Sequence, residues 1–324
     1  MSTNPKVVPK VLVKKFKPFE NLDDLPSDLR ISTITVTCKL DTVFHVDNIG
    51  KYIDLTPTGI ISIKHGRDVS CNRSLEVIKR RRTKKEKKPK KVFYNQATVE
   101  VYSKYKKKTN VKLFNNGSIQ MTGCISRANC IDVLIKLFNE FKRLKTIVDP
   151  KSMKKLIAKP FVGDISKVDI SKIQDLSIRM INSNFNVGFK IDREKLYKLL
   201  LKQKIDCSYE PCVHACVNIK YNYKDISTIS IFVFESGAII ITGAKERDHI
   251  IQAYKFITKK LFENYNIIIK EEIDELQSSD IKEFMIQENN NKKNIKSVDI
   301  SPKGIIASEN ELLVKEFLAS ELDN

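Results

Sequence analysis

Residues 114–124 read FNNGSIQMTGC and residues 234–244 read FESGAIIITGA. In both, a Phe precedes two polar residues and a Gly, an alternating run follows, and Thr-Gly closes the phrase. A recurrence of this length, 120 residues apart, points to an internal duplication. One copy then has to be read against the other before any local motif is weighed.

Outward from each phrase the same events repeat in the same order. In the first copy, ISTITVTCKL (31–40) alternates with β-branched residues as a strand does, and DTVFHVDNIGKYIDL (41–55) has helical apolar spacing. ATVEVYSKYKKKTNVKLFNNGSIQMTG (97–123) reads as three short strands turning at 104–108 and 115–117. Ser126 is placed to cap a helix over 126–143, with Cys130, Val133, Leu134, Leu137, Phe138 and Phe141 on one face. In the second copy, LSIRMINSNFNVGFKI (176–191) stands for the first strand and DREKLYKLLLKQK (192–204) for the first helix. The meander is 215–243 and the last helix KERDHIIQAYKFITKKLF (245–262). Matching Ala97 to Ala215 brings the two meanders together with a loop two residues longer in the second.

The expected organisation is a flexible tail over 1–28, a first repeat over 29–145 with a basic insert at about 56–95, and a linker over 146–171. A second repeat spans 172–264, and an acidic extension covers 265–324. The 58 Lys and Arg against 39 Asp and Glu leave a charge of +19, which favours a polyanionic partner. No stretch approaches the roughly 20 apolar residues of a membrane span, and MSTNPKVVPKVLVKKF has no secretory apolar core. The seven scattered Cys suit reduced thiols, so an intracellular protein is expected.

The duplicated phrases resemble the TATA-box-binding protein family, in which each repeat has a Phe-x-Ser-Gly-Lys turn leading to a strand that ends in Thr-Gly-Ala-Lys. Thr37 to Asp41 is similar to its Gly-Cys-Lys-Leu-Asp, and Ser208 to Pro211 repeats its Ser-Tyr-Glu-Pro. The long insert and the Lys, Asn and Ile-heavy composition look most like the TATA-binding-like proteins of giant (nucleocytoplasmic large) DNA viruses.

The resemblance implies an α+β fold: a saddle of two pseudo-repeats forming one curved antiparallel sheet, with helices on the convex face. It implies a transcription initiation factor, not an enzyme, that binds the minor groove of A·T-rich promoter DNA. The implied partners are double-stranded DNA, a transcription factor of the TFIIB type and RNA polymerase, with no membrane, no cofactor and a monomer on DNA. The implied location is the nucleus or, for a viral protein, the viral factory of the host cytoplasm or the virion. By the same resemblance, Phe114 and Phe234 are wedges between base steps, and Thr122 and Thr242 offer hydroxyls to A·T acceptors. Ile31, Thr33, Gln120, Ile240, Asn182 and Lys245 complete the implied contact set.

Departures from the family are concentrated on that surface. The second wedge of each pair falls near Gln96 or Ala97 and near His214 or Ala215, and the two central Asn correspond to Leu29 and Met180. Valines of the floor become Asn182 and Gln120. Two other readings follow: a degenerate saddle acting as a protein-interaction or non-specific DNA-binding module, and an accessory domain of a DNA-repair enzyme.

The run KRRRTKKEKKPKK, with Lys79, Arg80, Arg81, Arg82, Lys84 and Lys85, suits phosphate contact, nuclear import or a solvated loop. Cys207, Cys212, His214 and Cys216 have zinc-ligand chemistry, but 212, 214 and 216 alternate along one strand, which does not wrap a tetrahedral ion. No metal and no catalytic constellation is expected.

Overall fold

Alternating β-branched segments pair where their polar alternates can stay on one side, and the computed structural model shows which side that is. It describes residues 16–22, 24–76, 93–149, 155–224 and 227–270. The first copy consists of β1 (Arg30–Lys39), α1 (Val46–Tyr52), β2 (Ile60–Lys64), β3 (Asn72–Ser74), β4 (Gln96–Tyr102), β5 (Lys108–Phe114), β6 (Ser118–Cys124) and α2 (Arg127–Phe141). A hairpin of β7 (Thr146–Val148) and β8 (Leu156–Ala158) follows. The second copy consists of β9 (Gln174–Asn186), α3 (Arg193–Lys202), β10 (Cys207–Ser208), β11 (Cys216–Tyr223), β12 (Ser227–Phe234), β13 (Ala238–Ala244), α4 (Arg247–Glu263) and α5 (Tyr265–Ile268).

Apart from the small hairpin, the strands make one eleven-stranded antiparallel sheet in the order β10-β11-β12-β13-β9-β1-β6-β5-β4-β2-β3. The two copies meet along β1 and β9. At that seam Ile34 pairs with Ile181, flanked by Thr33 opposite Asn182 and Thr35 opposite Met180. Beyond them the register slips by one on each side, to Ile31 opposite Ser183 and Val36 opposite Ile178. Ser32 and Arg179 are the two extra residues, one bulge per strand. A half-turn about the Ile34 and Ile181 pair exchanges all these partners, so residues of β1 and β9 are mates 147 positions apart. The loop bonds agree: Leu40 N–H donates to Gly117 O and Val187 N–H to Gly237 O, while Phe44 N–H donates to Asn115 O and Ile191 N–H to Glu235 O.

This symmetry corrects two sequence alignments. Gln96 pairs with Phe114 as Cys216 pairs with Phe234, and Asn110 pairs with Thr122 as Ser230 pairs with Thr242. The separation is therefore 120 throughout the meander, with no longer loop in the second copy, and the mate of Ala97 is Val217. The mate of Met180 is Thr33 and not Leu29, which is buried ahead of β1. Similarity along a short β-branched strand does not fix its register, because slips preserve the pattern of residue types.

The core lies on the helix side. Val99, Val101, Val111, Leu113, Ile119 and Met121 are buried beneath Val133, Leu134, Leu137 and Phe141 of α2. Ile219, Ile229, Ile231, Val233, Ile239 and Ile241 meet Ile250, Ala253, Ile257 and Leu261 of α4. Each such side chain contributes about 1.5–3 kcal/mol when fully withdrawn from water. Ser126 Oγ accepts from Asn129 N–H at 3.2 Å, as expected, and Asp192 likewise caps α3 by accepting from the Glu194 and Lys195 N–H groups, whereas α1 and α4 start without a side-chain cap.

Three stretches differ from their sequence reading. Within the expected tail, Phe16, Phe19 and Leu22 are buried around a single 3-10 turn, with the Arg127 guanidinium over the Phe16 ring. One turn is too short to show a period in sequence. Residues 56–76, read as part of an insert, supply β2 and β3 and extend the sheet. Residues 265–270, assigned to the extension, pack on the second copy, where Ile268 is buried and Ile269 bridges Ile191. The basic run, the first 15 residues and residues 271–324 lie outside the described residues. Among the described residues no helix is long and apolar enough to cross a membrane.

Candidate nucleic-acid interface

Because strand side chains alternate, every residue facing the helices leaves a neighbour on the opposite side. On β5 these are Asn110, Lys112 and Phe114; on β6, Ser118, Gln120 and Thr122. On β12 they are Ser230, Phe232 and Phe234; on β13, Ala238, Ile240 and Thr242. All are partly exposed while the residues between them are buried, Gly123 and Gly243 apart. Cross-strand register joins them into rows. Thr35 lies opposite Thr122, Thr37 opposite Gln120 and Lys39 opposite Ser118. In the second copy Asn184 lies opposite Ile240 and Asn186 opposite Ala238.

This open face gathers most of the expected contact residues. Phe114 and Phe234 end β5 and β12 at equivalent points, Thr122 and Thr242 occupy equivalent points nearer the seam, and Thr33 and Asn182 face each other across it. Thr242 Oγ1 donates to Asn182 Oδ1 at 2.6 Å, so the Asn182 NH2 group holds the remaining donors of that pair. Two expected residues lie elsewhere. The bulge at Ser32 reverses the facing of Ile31, which packs against the core. Lys245 lies past β13 in the turn into α4, where it lines a depression with Lys17, Glu20 and Arg247.

Among the residues of this face that escaped the sequence reading are Lys39, Lys112, Arg179 and Phe232. Lys112 and Phe232 stand two positions before the paired Phe residues, so strict alternation could have found them. Arg179 is placed by its bulge, and its Nε donates to Thr37 Oγ1 at 2.9 Å, carrying a second-copy cation onto the first-copy surface. Thr37 Oγ also lies 3.1 Å from Ser177 Oγ. A shallow depression lined by Thr37, Lys39, Phe114, Gln120 and Arg179 results.

Five of the seven thiols are buried. Cys38, Cys124 and Cys130 are buried beneath the sheet, and burial pushes the Cys38 thiol up to about 12, away from the reactive thiolate. Cys207 is in β10, Cys212 and His214 are exposed in the turn after it, and Cys216 opens β11 opposite Phe234. Among the described residues no three His, Cys, Asp or Glu side chains gather as a metal site. The face offers hydroxyls, amides, cations and aromatic rings, which is chemistry for holding a polyanion.

The chain is similar to known proteins. The family described as Transcription factor TFIID (or TATA-binding protein, TBP) matches residues 175–264. A TATA-box-binding protein-like chain of Acanthamoeba polyphaga mimivirus is 41% identical over 259 residues, covering 74% of this chain and 67% of the relative. Among solved structures, Methanococcus jannaschii TBP is similar with a TM-score of 0.45 and 14% identity, over 73% of this chain and 99% of that one.

Proposed function

Because this chain belongs to the TATA-binding protein family, we propose that the open face of its sheet binds double-stranded DNA along the minor groove of A·T-rich promoter elements. Bound there, it presents its helices to a TFIIB-type factor and to RNA polymerase. The observation that carries this reading is the matched pair Phe114 and Phe234, partly exposed at symmetry-related ends of the face, on the side away from the described helices. Rings so placed insert between base steps and open the groove toward the sheet. Thr122 and the amide hydrogens of Asn182, whose oxygen takes the Thr242 hydroxyl proton, then lie over the groove floor, where A·T pairs present only acceptors. Lys39, Lys112 and Lys220 add cations within or beside the floor. The chain acts by binding and not by turnover.

The test is fluorescence anisotropy of the full chain on an A·T-rich and a G·C-rich duplex across a salt series, repeated with Phe114→Ala/Phe234→Ala. The expected result is A·T preference, a shallow salt slope and a loss of at least about 10-fold in the double variant. A steep slope with no preference and no effect of the variant would mean that charge alone holds the DNA.

A further inference from the structure

The half-turn that relates the copies also shows where they are chemically unlike. At the point where β13 carries Ile240, β6 carries Gln120; where β12 carries Phe232, β5 carries Lys112; and Ala238 is matched by Ser118. The bulge residues differ as well. Arg179 reaches Thr37 on the first half, whereas its mate Ser32 only donates to the Asn182 backbone carbonyl. Gln120 is thus flanked by Lys112 and Thr37, with Lys39, Arg179 and Asp175 in the same depression. Ile240 is flanked by Phe232 and Asn184, with Phe234 and Ala238 beside it. Around Gln120 the face is polar and charged, with Glu100 and Asp175 also on that half, whereas around Ile240 it is apolar with two rings, its cation Lys220 standing farther out against Ser230.

The minor groove makes that difference legible. An A·T pair shows only the N3 and O2 acceptors, whereas a G·C pair adds the guanine N2 amino donor at the centre of the groove. Against Ile240 and Phe232 that donor loses its water and gains no acceptor from either side chain, a penalty paid only by G·C. Against Gln120 it meets an amide carbonyl, while the Gln120 NH2 group and the neighbouring cations still donate to N3 and O2.

We infer that the two halves of the saddle read different base pairs: the second copy demands A·T, and the first accepts G·C. Gln120 is the specificity-determining residue and Lys112 its support. The inference rests on the minor-groove reading above and adds a direction to it, since DNA with G·C in one half of the site seats the protein one way round.

Three labelled duplexes test it by anisotropy with the full chain: an A·T-only core, the same core with G·C pairs in one half, and with G·C pairs in both halves. The first two are expected to bind within about 3-fold of each other, because the protein turns to place G·C under its first copy, and the third at least about 10-fold more weakly. Gln120→Ile/Lys112→Phe should bind the one-half duplex as poorly as the wild type binds the two-half duplex, and Ile240→Gln should rescue the two-half duplex. A wild-type chain that loses 10-fold on the one-half duplex, or none on the two-half duplex, overturns the inference without any variant having to fold. Failure to bind even the A·T core overturns the minor-groove reading itself.

Discussion

Ile34 and Ile181 oppose each other at the centre of the sheet, and the pseudo-twofold axis of the molecule runs between them. Both are fully buried, and they are mates of each other, so each sees nearly the surroundings that the other sees. Ile34→Ala and Ile181→Ala should therefore each cost about 2–5 kcal/mol and agree within about 1 kcal/mol. The double variant should lose a different amount from the sum, because the two are in contact. Urea unfolding measures all three. Single losses differing several-fold would mean that the seam is not the shared core of the two copies.

Phe16 tests the docking of the N-terminal segment. Its ring is fully buried, stands 6.1 Å from that of Phe19, and has Arg127 above it. Nearby, Arg247 Nε donates to the Asp24 carbonyl and Tyr254 OH to Asp28, so the segment touches the start of both long helices. Phe16→Ala should cost about 3–5 kcal/mol, read as a lower denaturation midpoint. A loose tail would lose less than about 0.5 kcal/mol.

The duplication was legible because turn residues and alternation survive divergence: the Asn-Asn-Gly and Glu-Ser-Gly turns and the runs behind them carry the fold. The helix capped by Ser126 was legible for the same reason, since capping is local chemistry. What escaped depends on register. Ile31 cannot be assigned to a face without the bulge at Ser32, and Arg179 looks like any strand residue until its own bulge directs it at Thr37. Phe16, Phe19 and Leu22 escaped because long-range burial, and no local period, decides their fate. Strands β2 and β3 escaped because the dense Lys and Arg run beside them dominates the reading of the whole interval.

Gly117 and Gly237 close the two turns with φ of 85° and 78°. A Cβ at Gly117 would stand 2.3 Å from the backbone oxygens of Leu40 and Thr42, and at Gly237 2.3 Å from that of Phe189. Backbone cannot retreat there without breaking the bonds from Leu40 N–H and Val187 N–H to the glycine carbonyls. Gly117→Ala and Gly237→Ala should each cost more than about 2 kcal/mol, well above the ordinary glycine-to-alanine effect at positive φ. Thermal unfolding of both variants checks this, with Gly188→Ala as the control, since positive φ is its only strain and no atom lies within 4 Å of its added Cβ.

Glu235 gives the second turn a pH dependence that the first lacks, since its mate there is the uncharged Asn115. Its carboxylate accepts from Lys270 Nζ and from Arg193 Nη2, each at 2.6 Å, and Arg193 also donates to the Ala215 carbonyl. Lys270 first, then Arg193, holds the Glu235 carboxyl below the ordinary value of 4.5. A carboxyl whose value is depressed by folding stabilises the fold above its unfolded value and loses that contribution as pH falls through its folded one. The pair is partly exposed, so solvent limits the effect to about 0.3–1 kcal/mol. Glu235→Gln should therefore lower the melting temperature by about 1–3 °C at pH 7 and make progressively less difference as pH falls below about 4.5, because the wild-type carboxyl is then becoming neutral as well. Melts of both proteins across that range decide it: a difference that stays constant down to pH 3 would show that shape, and not charge, holds the turn.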